Sequence, residues 1–323
     1  MEKEIPDLHE RINHIFKNQI YGIAITELTA HLTRRSVYCS KHAAGKYSVC
    51  DVFDGDSGNI RFERTEHEWK DGKCVFCGAN QENYDRGDEL ETHAYQFIHY
   101  DMGSANDANE HELEDIFNMK FDVIVGNPPY QLSDGGAGAS AIPIYQRFVE
   151  QAKKMNSRHL SMIIPARWFV GGRGLDLFRN EMLNDKRIRV LHDYPNASDC
   201  FPGVEIKGGV CFFLWERDCI GDCEVHSHIG ENTIVDKRPL LEEGMETFIR
   251  NSMAISILKK TKAKQESDLS KILHGGRYFG FHTKIDWSDD DSGTIQTADG
   301  RSTYPITSIK KKRKCYKSIH CTW

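Results

Sequence analysis

Four consecutive residues, Asn127, Pro128, Pro129 and Tyr130, stand directly after the apolar run Phe121-Asp122-Val123-Ile124-Val125-Gly126. They offer an amide oxygen, a carbonyl stiffened by the proline that follows it, and an aromatic face. Such a set suits methylation of an exocyclic amine. The lone pair of adenine N6 is delocalised into the ring, so it attacks a methyl group poorly until both N–H bonds are held by acceptors. Asn127 can supply its side-chain oxygen and Pro128 its main-chain carbonyl. Fixed acceptors aimed at a nitrogen that gains positive charge stabilise the transition state. Tyr130 offers a surface on which a base turned out of a duplex can stack. Asn, Pro and Tyr are also common in ordinary strand-to-loop corners, so the four letters take their weight from the strand in front of them.

A second constellation is Cys74-Val75-Phe76-Cys77-Gly78, which has the form of a zinc knuckle. The tight turn of such a knuckle directs two thiolates at one metal, and tetrahedral zinc needs two further ligands. Cys39, His42, His67 and His93 are near in sequence. Cys39 and His67, each bordering a short strand, are the expected pair. Buried free thiols or a redox pair would show the same spacing. Cys219 and Cys223 lack the knuckle spacing and read as structural.

The elements that would position the tetrapeptide follow a strand-and-helix rhythm. After the strand ending at Gly126 come a helix near Tyr145 to Lys154, a strand at His159 to Ile164, a helix near Leu175 to Leu183 and a strand at Ile188 to His192. Such alternation favours a parallel sheet covered by helices, and ligands bind such sheets beyond the carboxyl ends of the strands. Upstream, residues 1–19 read as a polar helix and Ile20 to Ile25 as a buried strand. Thr26 then caps a helix through Leu28, Leu32 and Val37, with Glu27 in its first turn. From about Cys39 to His99 short alternating pieces separated by Gly and Asp read as a small β-rich insertion. Val210 to Trp215 and Glu224 to His226 read as late strands, antiparallel in expectation, and after about residue 235 the pattern weakens.

Composition narrows the class. Hydrophobic residues are 39% and charged residues 28% of the 323, as in soluble globular proteins. No run approaches the ~18 apolar residues of a membrane span. The charged start Met1-Glu2-Lys3-Glu4-Ile5-Pro6 lacks the apolar core of a signal peptide, so a cytoplasmic location is expected. Ten cysteines without an export signal favour metal ligation or buried thiols over disulfides. A net charge of −6 excludes a basic nucleic-acid-coating protein but leaves room for a local positive face. The run from Lys310 to Lys314 either contacts phosphate or is a solvated charge run.

Taken together, these segments resemble the N6-adenine DNA methyltransferases of restriction-modification systems, in particular the larger enzymes of types II and III. Ile20-Tyr21-Gly22-Ile23 resembles the second cofactor strand of that family, and Ser161 to Trp168 the strand that follows the catalytic motif. Phe201 to Val210 resembles the segment that leads into the last strands near the target base. The resemblance covers about residues 10 to 230. It implies an α/β fold, a Rossmann-like methyltransferase sheet with a small zinc-binding β insertion and a truncated C-terminal target-recognition region. Residues 1–38 would be partial core, 39–100 the zinc-knuckle insertion, and 101–235 the core with the catalytic motif. Residues 236–323 would begin the target-recognition region, whose start Gly275 to Phe281 resembles. S-adenosylmethionine is the implied methyl donor and double-stranded DNA the implied partner, with a restriction endonuclease as separate subunit or fused domain and no membrane. The catalytic residues would be Asn127, Pro128, Pro129 and Tyr130. Glu27, Asp101 and Gly126 would bind the cofactor, and Cys39, His67, Cys74 and Cys77 the zinc.

The chain departs from the family pattern in two places. Where the family holds the cofactor ribose with an acid at the end of the second strand, Ala24 stands here. Glu27 is the nearest substitute, although a first-turn carboxylate is also favoured by the helix dipole. Asp101 falls about where the next cofactor-contacting acid stands, a position that a solvated loop acid could fill equally. The glycine-rich turn expected before residue 20 is missing, since residues 1–19 contain no glycine. Phe169 to Gly174 is glycine-rich but follows a strand already assigned, with no acidic residue before it. The expectation is a fragment that begins just inside the methyltransferase domain and binds cofactor weakly alone. The alternative is a non-catalytic nucleic-acid-binding or assembly remnant.

Overall fold

The computed structural model describes residues 2–63, 65–84, 96–100, 114–132, 142–264, 294–296 and 303–305. Asp101, His93, Gly275 to Phe281 and Lys310 to Lys314 lie outside them. The chain forms two compact units, residues 1–255 and 256–323. In order, the first contains α1 (Leu8–Asn18), β1 (Gly22–Ile23), α2 (Glu27–Tyr38), β2 (Ile60–Arg61), β3 (Trp69–Lys70), β4 (Lys73–Cys74), α3 (Gln81–Tyr84), α4 (Gln96–His99), α5 (Glu114–Asn118) and β5 (Val123–Gly126). It continues with α6 (Tyr145–Lys154), β6 (His159–Pro165), α7 (Asp176–Asn184), β7 (Ile188–Tyr194), β8 (Val210–Glu216), β9 (Cys223–Ile229) and β10 (Asn232–Arg238). Helix α8 (Ser252–Ala263) spans the division, and the second unit holds the antiparallel pair β11 (Thr294–Gln296) and β12 (Thr303–Pro305).

The central sheet has the order β10-β9-β7-β8-β6-β5. It is mixed: the strand-and-helix rhythm predicts the parallel steps, and the late strand expected at Val210 to Trp215 is antiparallel. β5 and β6 run parallel, as do β7 and β9, but β8 runs antiparallel to both β6 and β7. The helical crossover through α6 gives the parallel β5–β6 step. β8, by contrast, follows β7 through a loop with no helical crossover and turns back between β6 and β7, which forces the opposite sense. That turn depends on Gly209 at φ +82°, where an added Cβ would lie 2.0 Å from the Tyr194 carbonyl oxygen.

The two faces of the sheet differ. Leu160, Met162 and Ile164 of β6, Leu191 of β7, Cys211, Phe213 and Trp215 of β8 and Val225 of β9 alternate inward and are buried with Val149 and Ala152 of α6 and Phe178 and Met182 of α7. Burying each large side chain of this kind contributes about 1.5–3 kcal/mol. On the opposite face Val123 and Val125 of β5 are 56% and 74% exposed.

That open face also carries a row of rings. His192 stacks on Phe212 at 4.3 Å and on His226 at 4.1 Å, and His228 stacks on Tyr194 at 4.1 Å. One ring nitrogen bond joins His192 Nδ1 and His228 Nε2 at 3.0 Å. Burial, then the neighbouring His226 and His228, lower the His192 pKa to about 4, against the pull of Glu224. The neutral ring is therefore favoured in the fold. Below roughly pH 6.5 the unfolded chain takes up this proton first, so stability should fall from there to about pH 4. Thermal melts between pH 7.5 and 4.5 should show this loss, with a shallower slope for His192→Gln. An equal slope in both proteins would assign the pH dependence to other groups.

The segment expected as one β-rich insertion divides in two. Residues 43–61 wrap the N-terminal helices: β2 pairs parallel with β1, and the Arg34 Nε donates to the Ile60 carbonyl at 2.9 Å. Asn59 Nδ2 bridges the carbonyls of Phe16 and Lys17 at 2.8 and 2.9 Å. The knuckle is a separate small module built on the β3–β4 hairpin. Its turn residues Asp71 and Gly72 have φ 52° and 73°, the positive pair that a two-residue hairpin turn requires.

Candidate active site and metal centre

β5 ends at Gly126, and the tetrapeptide leaves the sheet from the carboxyl end of that strand. A Cβ on Gly126 would meet the Met162 methyl at 3.2 Å, so the strand lies close to β6 at the exit. Pro128 is buried and anchors the turn, while Asn127 is exposed. Among the described residues the Asn127 side chain has no hydrogen-bond partner. The chain then pairs with the segment that precedes α6. Ile144 N–H donates to the Tyr130 carbonyl at 3.3 Å, Leu132 N–H to the Ile142 carbonyl at 2.9 Å, and Gln131 bridges Pro143.

Tyr130 is half-buried, and its hydroxyl has no hydrogen-bond partner among the described residues. Burial, with the Cys200 and Cys211 thiols nearby, pushes its pKa up to about 12. It is therefore a neutral ring with a free hydroxyl, placed near the loop that resembles the segment beside the target base.

Glu27 lies in the first turn of α2, just beyond β1. Thr26 and Thr29 cap this helix reciprocally. The Glu27 carboxylate is exposed and sits 3.8 Å from His31. Tyr21 and Phe121, each just before its strand, meet edge to face at 5.7 Å, and Ile23 and Ile124 join one apolar cluster. The starts of β1 and β5 are thus neighbours, although the two strands do not pair.

His67, Cys74, Cys77 and His99 converge. One ligand atom from each lies within 4.8 Å of the others. Cys77 Sγ is 3.3 Å from His67 Nδ1, and Cys74 Sγ is 3.8 Å from His99 Nε2. Zinc at about 2.3 Å from sulfur and about 2.0 Å from nitrogen places its ligands about 3.4–3.8 Å apart, so the set fits with little adjustment. Without an ion, the Cys77 side chain, with help from His67 and His99, holds the Cys74 thiol far below its usual range, and the thiol of Cys77 is raised. Gly78 at φ +74° closes the knuckle, with its N–H donating to the Cys74 carbonyl at 3.0 Å.

Cys39, expected as the fourth ligand, is not part of this group. It caps α2 in the left-handed conformation and is exposed, next to Tyr38, which packs in a different apolar cluster from Cys74 and Cys77. His42 pairs with Asp56 at 2.9 Å. His99 takes the fourth position because α4 carries it back to the knuckle, where its ring stacks on Phe76 at 5.2 Å. Nearness along the chain offers no signal for it, since 21 residues separate it from Cys77.

Among the described residues no helix is long and apolar enough to cross a membrane. Residues 18–201 match the family described as Eco57I restriction-modification methylase. A curated protein of Mycoplasma pneumoniae, described as an uncharacterized adenine-specific methylase, is 34% identical over 261 residues. That alignment covers 73% of this chain and 60% of the relative, so the chain spans under two thirds of the relative's length. Among solved structures, a type I restriction-modification methyltransferase subunit from Streptococcus thermophilus aligns at 12% identity and a TM-score of 0.25, covering 51% of this chain and 35% of its own. The ATP-dependent Type ISP restriction-modification enzyme LlaBIII, bound to DNA, aligns at 12% identity and a TM-score of 0.36, covering 70% and 16%.

Proposed function

The chain belongs to the Eco57I restriction-modification methylase family, and from that premise we propose that it methylates adenine N6 in double-stranded DNA with S-adenosylmethionine as donor. The observation that carries this is the tetrapeptide at the end of β5, with an exposed Asn127 and a Tyr130 hydroxyl that have no hydrogen-bond partner among the described residues. The Asn127 side-chain oxygen and the Pro128 carbonyl accept the two N6 hydrogens, and the Tyr130 ring stacks on the flipped base. The N6 lone pair would take the methyl group, with the donor's sulfur leaving as a neutral thioether and one N6 proton passing to solvent. The cofactor supplies the electrophilic methyl group. An exposed carboxylate at Glu27 suits ribose hydroxyls, and Gly126 stands at the carboxyl end of β5, where ligands of such sheets bind; both are proposed as cofactor contacts. Asp101 is proposed with them.

Incubation with labelled cofactor and unmethylated DNA, followed by mass analysis of nucleosides, should place the label in N6-methyladenine. Label on cytosine would overturn the assignment. Among the described residues β5 is an edge strand, with Val123 and Val125 exposed beside it, which supports a sheet completed by one more strand that carries the glycine-rich turn. On that view activity belongs to the protein with this strand in place, together with the C-terminal target-recognition region and a nuclease partner. The non-catalytic alternative is not favoured by an intact tetrapeptide in a family of methylases.

We further propose that His67, Cys74, Cys77 and His99 hold one structural zinc ion. The support is the chemistry of the donor set: two thiols and two imidazoles, with Cys74, Cys77 and His99 buried, drawn together from β4, the knuckle, the preceding segment and α4. A closed set of four protein ligands leaves no position for substrate, so the ion would be structural.

A further inference from the structure

We infer that the metal module is the seat of the catalytic turn: His67, Cys74, Cys77 and His99, closed on zinc, hold the strand pair Tyr130–Leu132 and Ile142–Ile144 from which Asn127 to Tyr130 project. This rests on the zinc assignment and adds a positioning role to it. Leu132 and Ile144, one from each side of that pair, are buried in the same apolar cluster as Cys74 and Cys77, together with Ala79, Ile98 and Phe148. Residue 132 lies two positions from the catalytic tyrosine. It therefore packs in a cluster shared by the knuckle, α4 and the start of α6, and not in that of the central sheet.

Three further links join the layers. The Arg147 guanidinium of α6 donates to the Phe76 carbonyl, which lies inside the knuckle between its two cysteines. Phe97 of α4 stacks on Phe148 of α6 at 5.7 Å. Gln151 of α6 donates to the Tyr100 carbonyl at 2.8 Å, fixing the end of the helix that presents His99. Thus the knuckle and α4, each of which carries ligands, both hold α6 through residues beside those ligands, and α6 begins at the residue after Ile144.

The knuckle cannot supply this support unaided. β3 and β4 are two residues each, and an isolated two-stranded hairpin is marginal in water at best. A metal that cross-links the hairpin to α4 contributes its binding free energy directly to folding of the layer. Without it, two buried thiols and an imidazole share a cluster whose other members are apolar. The layer then opens, and the strand pair that carries Tyr130 loses the surface it packs on. Displacement of a catalytic group by about 1 Å can cost on the order of a hundredfold in rate.

Hydrogen exchange read by mass spectrometry, with zinc measured by elemental analysis, tests this on the full chain before and after chelation. Loss of one zinc per chain should raise exchange in peptides covering 130–132 and 142–148 at least tenfold, while β6 to β9 keep their rates. Zinc loss with faster exchange in the knuckle, and none in 130–148, would overturn the positioning role and leave the zinc site standing. Absence of zinc from protein prepared with it would overturn the site itself. Arg147→Ala gives a second measurement that does not depend on chelation: all four ligands remain, so zinc should stay bound while exchange at 130–132 and 142–148 still rises. Unchanged exchange in that variant would count against the coupling.

Discussion

Asn127→Ala is expected to lower methyl transfer by a hundredfold or more while leaving cofactor affinity nearly unchanged. The side chain is exposed at the carboxyl end of β5 and unpaired among the described residues, so its removal breaks no structural bond. The turn itself is held elsewhere. Pro128 is buried, and the two prolines restrict the backbone whatever stands at 127. What is lost is one preorganised acceptor for an N6 hydrogen, and losing one such group costs on the order of 10²–10³ in turnover. Single-turnover formation of N6-methyladenine measures the effect, and calorimetry with S-adenosylmethionine controls for binding. Undiminished transfer in the variant would remove Asn127 from the mechanism.

The strand β5 is legible in the sequence because it combines two strong signals, an apolar β-branched run and residues that cannot continue it. The helix expected near 145–154 is α6 at Tyr145–Lys154, where periodicity over three turns is decisive. Val210 to Trp215 read as a late antiparallel strand, and β8 is one; its place between β6 and β7 is not legible, because that depends on which gap in the sheet the returning strand enters. Ile60 and Arg61 read as part of an insertion. Two residues carry no periodicity, and their pairing with β1 is fixed from outside by Arg34 and Asn59. The cysteine knuckle shows itself through local spacing, and His67 lies close to it. His99 does not, since a side chain delivered by a separate helix obeys no spacing rule, and Cys39, expected from its nearness and its place beside a short strand, is not in the group that folding brings together.

Arg250→Ala should be among the most destabilising single changes in the first unit. Asp193 faces the core side of β7 with its side chain fully buried, against 31% exposure for Arg250. Arg250 Nε donates to one carboxylate oxygen at 2.7 Å and a second guanidinium nitrogen to the other. The remaining nitrogen donates to the Gly208 carbonyl at 2.7 Å, beside the Gly209 turn that sends β8 back into the sheet. Burial raises the Asp193 pKa, and Arg250 is the largest influence pulling it down. Removing the arginine leaves an uncompensated buried carboxylate, which typically costs about 3–5 kcal/mol. For a unit of this size that corresponds to a fall in Tm on the order of 10 °C. The sign of the pH dependence follows from the raised pKa: protonation relieves the buried charge, so the deficit should be largest at neutral pH and shrink as pH falls toward the folded-state value. Denaturant unfolding of wild type, Arg250→Ala and the double variant Asp193→Asn with Arg250→Ala separates the causes. The double variant should recover much of the loss, because the charge is gone with its partner. A single variant within about 1 kcal/mol of wild type at neutral pH, with no recovery in the double, would show that the pair does not hold the β7–β8 turn.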